Sequence, residues 1–264
     1  MSNTPNRLYH YTSFGAFVHI FDYQQENFTK NNWINVRLGN PMNMNDKNEI
    51  TFFEKSFFTG SNISNEIKEF YTEMKEKSPH PYIFSLIHHI GNKWYPKDEI
   101  PMWFMYGDNG KGVRIAFDFK MVEEFCEKNH YLLKRCQYVN QNEMQDIARG
   151  HRNIVKKLDK NHWNTKLEDI YIGSLCYKTK DWEYEQEYRI VAFGNHNEKY
   201  DAYSEEEQYL HIPLPLKAVK EITVGPLADE LLVKRCIELI RNELFAILPD
   251  LKPFDIKKTK LQIR

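Results

Sequence analysis

KTKDWEYEQEYRIVAF, residues 178 to 193, sets three glutamates and an arginine around the start of a strand-forming run. Glu183, Glu185 and Glu187 alternate with Tyr184, Gln186 and Tyr188, and Arg189 continues the acidic parity. Successive side chains on a strand point to opposite faces, so this alternation is expected to crowd two or three carboxylates on one side. Like charges at that spacing repel, and folding alone does not demand them. An exposed edge protected by charge accounts for the same pattern, as does an ion pair between Arg189 and either glutamate. Function and structure both remain open on residue type. Glu185 and Glu187 are therefore candidate reactive carboxylates, and the strand that follows them is the anchor for the rest of the chain.

Working outward, the 264 residues carry 36 Lys+Arg against 37 Asp+Glu, a balance that argues against a salt-driven wrapping of nucleic acid. Apolar residues at 41% and aromatics at 14% supply a core and argue against disorder of the whole chain. Cys126, Cys136, Cys176 and Cys236 lie far apart without C-x-x-C spacing, and read as reduced, buried thiols. The start, MSNTPNRLYHYTS, lacks the apolar centre of a signal peptide, and no run approaches the roughly 18 residues of a membrane span. A soluble, cytoplasmic protein with no membrane partner is expected.

Strands are expected at RLYHYT, WINVRL, YIFSLIHHI, GVRIAFD, YLLKRCQYV, DIYIGSLCY, YRIVAF, YLHIPL and VKEITVGP, with KPFDIKKTKLQIR closing a sheet edge. Helices are expected after Thr12 or Ser13, around Phe52 to Phe57, over SNEIKEFYTEMKEK, at 120–128, at 141–168 and from Ala228 to Leu248. Strands and helices interleave, yet no G-x-G-x-x-G or G-x-x-x-x-G-K-[ST] follows any strand, which counts against a doubly wound nucleotide fold. The expectation is a single α+β domain spanning 1–264, with a mixed, split or strongly bent sheet flanked by helices and a helical insertion at about 141–168.

Four stretches carry more polar and aromatic equipment than a core requires: YHYTS (9–13), NMNDKNE (43–49), PMWFMYGDNGKG (101–112) and DWEYEQEYR (181–189). Each has a plainer structural reading beside the functional one. His10 serves equally as a hydrogen-bonded structural histidine. Asn45, Asp46 and Glu49 suit a turn and helix cap, and Trp103 and Tyr106 suit one face of a short helix. Gly110 and Gly112 suit a tight turn. The basic residues Arg149, Arg152, Lys156, Lys157 and Lys160 read first as a solvated helix face.

Taken together, LYHYTS, NDKNE, MWFMYGDNGKGVRIAFD, KDWEYEQEYRIVAF and VKEITVG resemble domain-of-unknown-function family 2971, a bacterial group often associated with defence loci. The resemblance runs in order from about residue 8 to 225, with Lys47 standing where the family usually has proline. The layout of that family is similar to the ADP-ribosyltransferase superfamily. This likeness implies a donor site for NAD⁺ with His10 as its first element, Ser85 or Tyr106 as its second and Glu187 as its third. The Glu185-Gln186-Glu187 spacing resembles the E-x-E motif of some such enzymes.

Breaking the bond between nicotinamide and ribose develops positive charge on the sugar, which a preorganised carboxylate stabilises. The resemblance gives that role to Glu187, and gives Glu185 the acceptor. Arg189 would keep the glutamates ionised or grip a pyrophosphate. Tyr11, Trp103 or Tyr106 would stack on the nicotinamide, and His10 and Thr12 would bind ribose hydroxyls, with Asn45 and Asp46 beside them. His10, Tyr106, Glu185 and Glu187 are expected around one cleft that needs no metal. The implied function is a toxin or anti-phage effector that modifies a nucleic acid or protein under the control of an antitoxin or regulatory partner. Two rivals remain: a Mg²⁺-dependent nuclease built on Asp46, Glu49, Glu185 and Glu187, and a non-catalytic sensor of a nucleotide or phage component.

Overall fold

The structure is a computed structural model, which describes residues 5–21, 32–41, 47–59, 63–89, 99–194, 209–247 and 254–261. Among these, nine strands form one mixed sheet. In chain order they are β1 (Arg7–Thr12), β2 (Trp33–Gly39), β3 (His80–Ile87), β4 (Val113–Asp118), β5 (Leu132–Arg135), β8 (Glu187–Gly194), β9 (Tyr209–Pro215), β10 (Val219–Val224) and β11 (Asp255–Lys258). The short strands β6 (Gln137–Val139) and β7 (Tyr177–Thr179) pair separately and in parallel.

The large sheet is zipped in blocks. β1 pairs along its length with β4, and β4 continues to β10 and β11, the last pairing being parallel. β3 pairs along its length with β8, which carries β5 on its other edge. β2 pairs with β9. These blocks meet only at single residue pairs, Tyr9↔Ile87 and Gly39↔Ile83. Where β1 and β3 part, the His10 ring bridges them through a 3.0 Å hydrogen bond between Nδ1 and the Ser85 carbonyl. The expected mixed α+β sheet is present, and its splitting follows from these one-residue joints.

Alternation along the strands divides the sheet cleanly. Leu8, Phe84, Leu86, Ile115, Phe117, Ile190, Ala192 and Ile222 point to one face and are buried there. Helix α1 (Phe14–Ile20), capped by Ser13, contributes Phe17 to that layer. Helix α5 (Phe119–Lys128), capped by Asp118, adds Val122 and Phe125, and α8 (Glu230–Ile247) adds Val233, Ile237 and Leu244. Burying side chains of this size contributes about 1.5–3 kcal/mol each.

A second core lies between α2 (Lys47–Phe58), α3 (Asn65–Lys77), α6 (Gln141–Lys157) and α7 (Trp163–Ser174). Phe53, Phe57, Ile67, Tyr71, Met144, Ala148, Leu167 and Ile170 fill it. The helices expected at 141–168 thus run on to Ser174 and pack with two earlier helices. Residues 169–174 are helical where DIYIGSLCY reads as a strand. Trp163, Leu167, Ile170, Tyr171 and Ser174 are its buried positions, a helical spacing that buries one stripe against α3. Arg152, assigned to a basic face, instead donates to the Ser56 and Phe57 carbonyls at 2.6 and 3.2 Å, closing the end of α2.

The turn after α4 (Ile100–Met105) determines how that helix meets the sheet. Asp108, Asn109 and Gly110 all have left-handed backbone, with φ of 52°, 52° and 82°. A Cβ on Gly112 would lie 2.1 Å from the Thr12 carbonyl oxygen, so glycine is required for this close approach. Gly112→Ala is expected to lower stability by about 1–3 kcal/mol or more, because the obstructing atom belongs to the backbone. Gly150→Ala, where nothing lies within 4 Å, is expected to raise stability by about 1 kcal/mol. Urea unfolding of both variants checks the pair.

Candidate functional site

The quoted stretch does not alternate as one strand. Residues Lys180–Glu185 form a 3₁₀ turn, Gln186 takes left-handed backbone at φ 45°, and β8 begins only at Glu187. Arg135 and the Glu183 carbonyl hold the Gln186 side chain, each at 2.6 Å. The break removes Glu183 to the exterior and brings Glu185 and Glu187 together inside. The repulsion anticipated between them is relieved by Lys178, from β7, which sits between the two carboxylates. Its ammonium contacts Glu185 Oε2 and lies 2.8 Å from Glu187 Oε2.

Each remaining carboxylate oxygen is also held. Tyr106 Oη donates to Glu185 Oε1 at 2.6 Å, across 79 positions of sequence. Arg189 Nε donates to Glu187 Oε1 at 2.9 Å, and its Nη2 to Oε2 at 3.1 Å. Arg189 Nη1 donates to the Leu175 carbonyl, and Glu187 N donates to Tyr138 Oη at 2.7 Å. Lys178, Glu185, Glu187 and Arg189 are each exposed by 4% or less. Two anions and two cations therefore form a neutral, enclosed cluster.

Burial pushes the Glu187 carboxyl up, but Arg189 and Lys178 more than offset it and hold it at about 2, below its usual 4.5. A folded-state value below the unfolded one gives stability that is fully present above pH 4.5 and lost as pH falls towards 2. Wild type should lose unfolding free energy over that acid window, and Glu187→Gln should lose less. Urea midpoints at stepped pH measure this. Burial and then Glu185 push the Tyr106 phenol up, so it stays protonated and remains a donor.

The register places the other expected site residues. Tyr9↔Ile87 and Ile87↔Glu187 put Tyr9, Ile87 and Glu187 on one face, so Tyr11 and Arg189 share it. His10, of opposite parity, lies on the other face with its ring 4.3 Å from that of Phe84. Thr12 shares the parity of His10. The convergence of His10 with Tyr106, Glu185 and Glu187 is therefore corrected, because a sheet separates them. Burial lowers the His10 imidazole to about 4, consistent with a neutral ring bound to the Ser85 carbonyl. Ser85 pairs with Arg189 across β3 and β8, whereas Tyr106 bonds to Glu185 directly.

Trp103 is fully buried, with Nε1 donating to Glu99 at 2.8 Å, and Tyr11 meets it edge-on at 4.9 Å. Both rings belong to a small core with Met102 and Ile87 and have no face open to a ligand. Asn45 and Asp46 lie outside the described residues. Beside the Lys178–Glu185 pair, the expected stacking residue Tyr106 is joined by two rings not anticipated from sequence, Trp182 and Tyr184. Tyr106 and Trp182 are half-buried, and Tyr184 is 41% exposed, 6.1 Å from Trp182. The Tyr184 hydroxyl lies 3.5 Å from Met105 Sδ, joining the two motifs at the surface.

Sequence reasoning also missed Lys178 and a second network on this face of the sheet. There Arg114 binds Glu99 and donates to Thr223 at 3.0 Å, while Lys257 and Arg7 bind Glu221 at 2.7 and 3.2 Å. Lys178 was visible as a cation seven positions before Glu185, but its inward direction depends on β7 pairing with β6. For the nuclease reading, Lys178 already occupies the point between Glu185 and Glu187 where a metal ion would be held. No group of three potential metal ligands gathers among the described residues. Nor is any helix among them long and apolar enough to cross a membrane.

No curated protein and no solved structure matches the chain. The motifs around His10, Asn45 and Asp46 fall outside the family match that does exist. Residues 102–190, which carry Trp103, Tyr106, Lys178, Glu185, Glu187 and Arg189, match the model of a family described as "Protein of unknown function (DUF2971)".

Proposed function

We propose that the protein is an NAD⁺-dependent ADP-ribosyltransferase whose reacting carboxylate is Glu185. The observation that carries this reading is the aromatic rim of Tyr106, Trp182 and Tyr184 around a carboxylate held by a phenol. The rim suits stacking on a flat, cationic ring such as nicotinamide. A ribose hydroxyl would take the place of the Tyr106 phenol on Glu185 Oε1. The carboxylate would then stand beside the carbon on which positive charge grows as nicotinamide leaves.

Glu187 has a different part in this reading from the one its resemblance implied. Both its oxygens are bound by Arg189 or Lys178, so it positions Lys178, and through it Glu185. The split sheet and the E-x-E spacing are compatible with an ADP-ribosyltransferase-like fold. A nucleic acid or protein would accept the ADP-ribose, and an effector of this kind would need a control partner in its host.

Incubation with adenylate-labelled NAD⁺ and cell lysate, followed by separate RNA, DNA and protein digestion, tests the reading. Label is expected in one macromolecular class, together with nicotinamide release. A second reading, a nucleotide sensor without turnover, draws on the full pairing of all four charges. Binding of NAD⁺ with neither release nor labelling would establish that reading against the transferase.

A further inference from the structure

β6 and β7 run parallel, with Gln137 opposite Tyr177 and the Gln137 amide donating to the Cys176 carbonyl at 2.8 Å. The residues just before that pair are Cys136 and Cys176. Neighbouring strands lie about 4.8 Å apart, within the Cα separation of roughly 4.4–6.8 Å that a disulfide spans. Each thiol shifts the titration of the other, and neither cysteine is in a disulfide. A cleft of about 390 Å³ opens beside them, lined by Lys134, Arg135, Gln137, Cys176 and Tyr177. Cys176, 6% exposed, is among the residues that line the cleft, whereas Cys136, 3% exposed, is not.

We propose that Cys136 and Cys176 form a redox-active dithiol site, in which Cys176 attacks an anionic low-molecular-weight disulfide held by Lys134 and Arg135, and Cys136 resolves the adduct. In the first step the Cys176 sulfur attacks one sulfur of the small disulfide. A mixed disulfide forms, the small S–S bond breaks and one small thiolate leaves. In the second step Cys136 gives up its proton and attacks Cys176 Sγ, forming the Cys136–Cys176 bond and expelling the second small thiolate. Two protein thiols are oxidised and one small disulfide is reduced to two thiols, so electrons and protons balance.

The environment gives the two thiols unequal tasks. The neighbouring Cys136, with Arg189 and Lys134, lowers the Cys176 thiol against the opposing effect of burial, which favours it as the nucleophile. Burial pushes the Cys136 thiol up, which keeps it protonated until the second step. The other cysteines lack this setting, and burial pushes Cys126 up to about 12. The pair also adjoins the ionic cluster. Cys136 N donates to the Glu187 carbonyl at 2.8 Å, and Arg189 binds the carbonyl of Leu175, next to Cys176. Oxidation would fasten together the two backbone segments that hold Glu187 and Arg189.

The test uses the full chain with Cys126→Ser and Cys236→Ser, treated near neutral pH with oxidised glutathione and read by intact mass and peptide mapping. Circular dichroism confirms that each variant is folded. The expected product loses two hydrogens, carries a Cys136–Cys176 link and melts several degrees higher, because the link closes the loop that contains α6 and α7. Adding Cys136→Ser should leave one glutathione retained on Cys176. Adding Cys176→Ser should leave Cys136 unmodified. The proposal fails if the folded chain forms no link, or if Cys136 takes glutathione equally well without Cys176. It also fails if hydrogen peroxide at the same concentration forms the link faster than oxidised glutathione, since the basic cleft would then select nothing. None of these readouts depends on NAD⁺ chemistry.

Discussion

Arg189→Leu should lower unfolding free energy by about 3–5 kcal/mol, the cost of stranding one partner of a buried ion pair. Arg189 is fully buried, holds both oxygens of Glu187 and donates to the Leu175 carbonyl, so leucine abandons all three acceptors. Lys178 would remain beside Glu187 but is already shared with Glu185. Replacing Glu187 and Arg189 together by leucine should recover part of the loss, because no uncompensated charge is then buried. Arg189→Lys should fall between, since a single ammonium cannot reproduce the two-pronged contact. Urea unfolding of the three variants measures the order. Equal stability of Arg189→Leu and wild type would mean that the cluster contributes nothing to the fold.

Much of the architecture was legible because local chemistry and final structure agree. Ser13 and Ser64 cap the helices they precede, accepting from Ala16 N and Ile67 N at 3.1 and 3.3 Å. GVRIAFD and VKEITV, read as strands, are β4 and β10. DIYIGSLCY misled because isoleucine and tyrosine favour strands locally, whereas burial against α3 selects the helical period. YLLKRCQYV reads as one strand but divides at Cys136, and its halves join different sheets.

The candidate site was legible in its composition but not in its geometry. Tyr106, Glu185, Glu187 and Arg189 stand out by residue type and do meet. Lys178 completes them only through the β6–β7 pairing, which links positions forty apart. The face occupied by His10 depends on the single pair Tyr9↔Ile87. A register of that kind is set by tertiary packing, and shifting it by one residue would reverse every side chain on the strand. The kink at Gln186 was hidden for another reason: a non-glycine residue with left-handed backbone carries no sequence signal, and it converted an apparent alternation into a convergence.

Nicotinamide release by purified wild type and Glu185→Gln, each first shown to be folded by circular dichroism, tests the central claim most directly. Glutamine keeps the shape and still accepts the Tyr106 hydrogen bond, but it removes the charge that would face the ribosyl cation. Release from NAD⁺ should fall by about 100-fold or more, the scale lost when one electrostatic stabiliser of a transition state is removed. Transfer to acceptor and slow hydrolysis to free ADP-ribose should fall together, because both pass through that cation. Release by Glu185→Gln at the wild-type rate would contradict the assignment of Glu185, and no release from either folded protein would contradict the transferase itself.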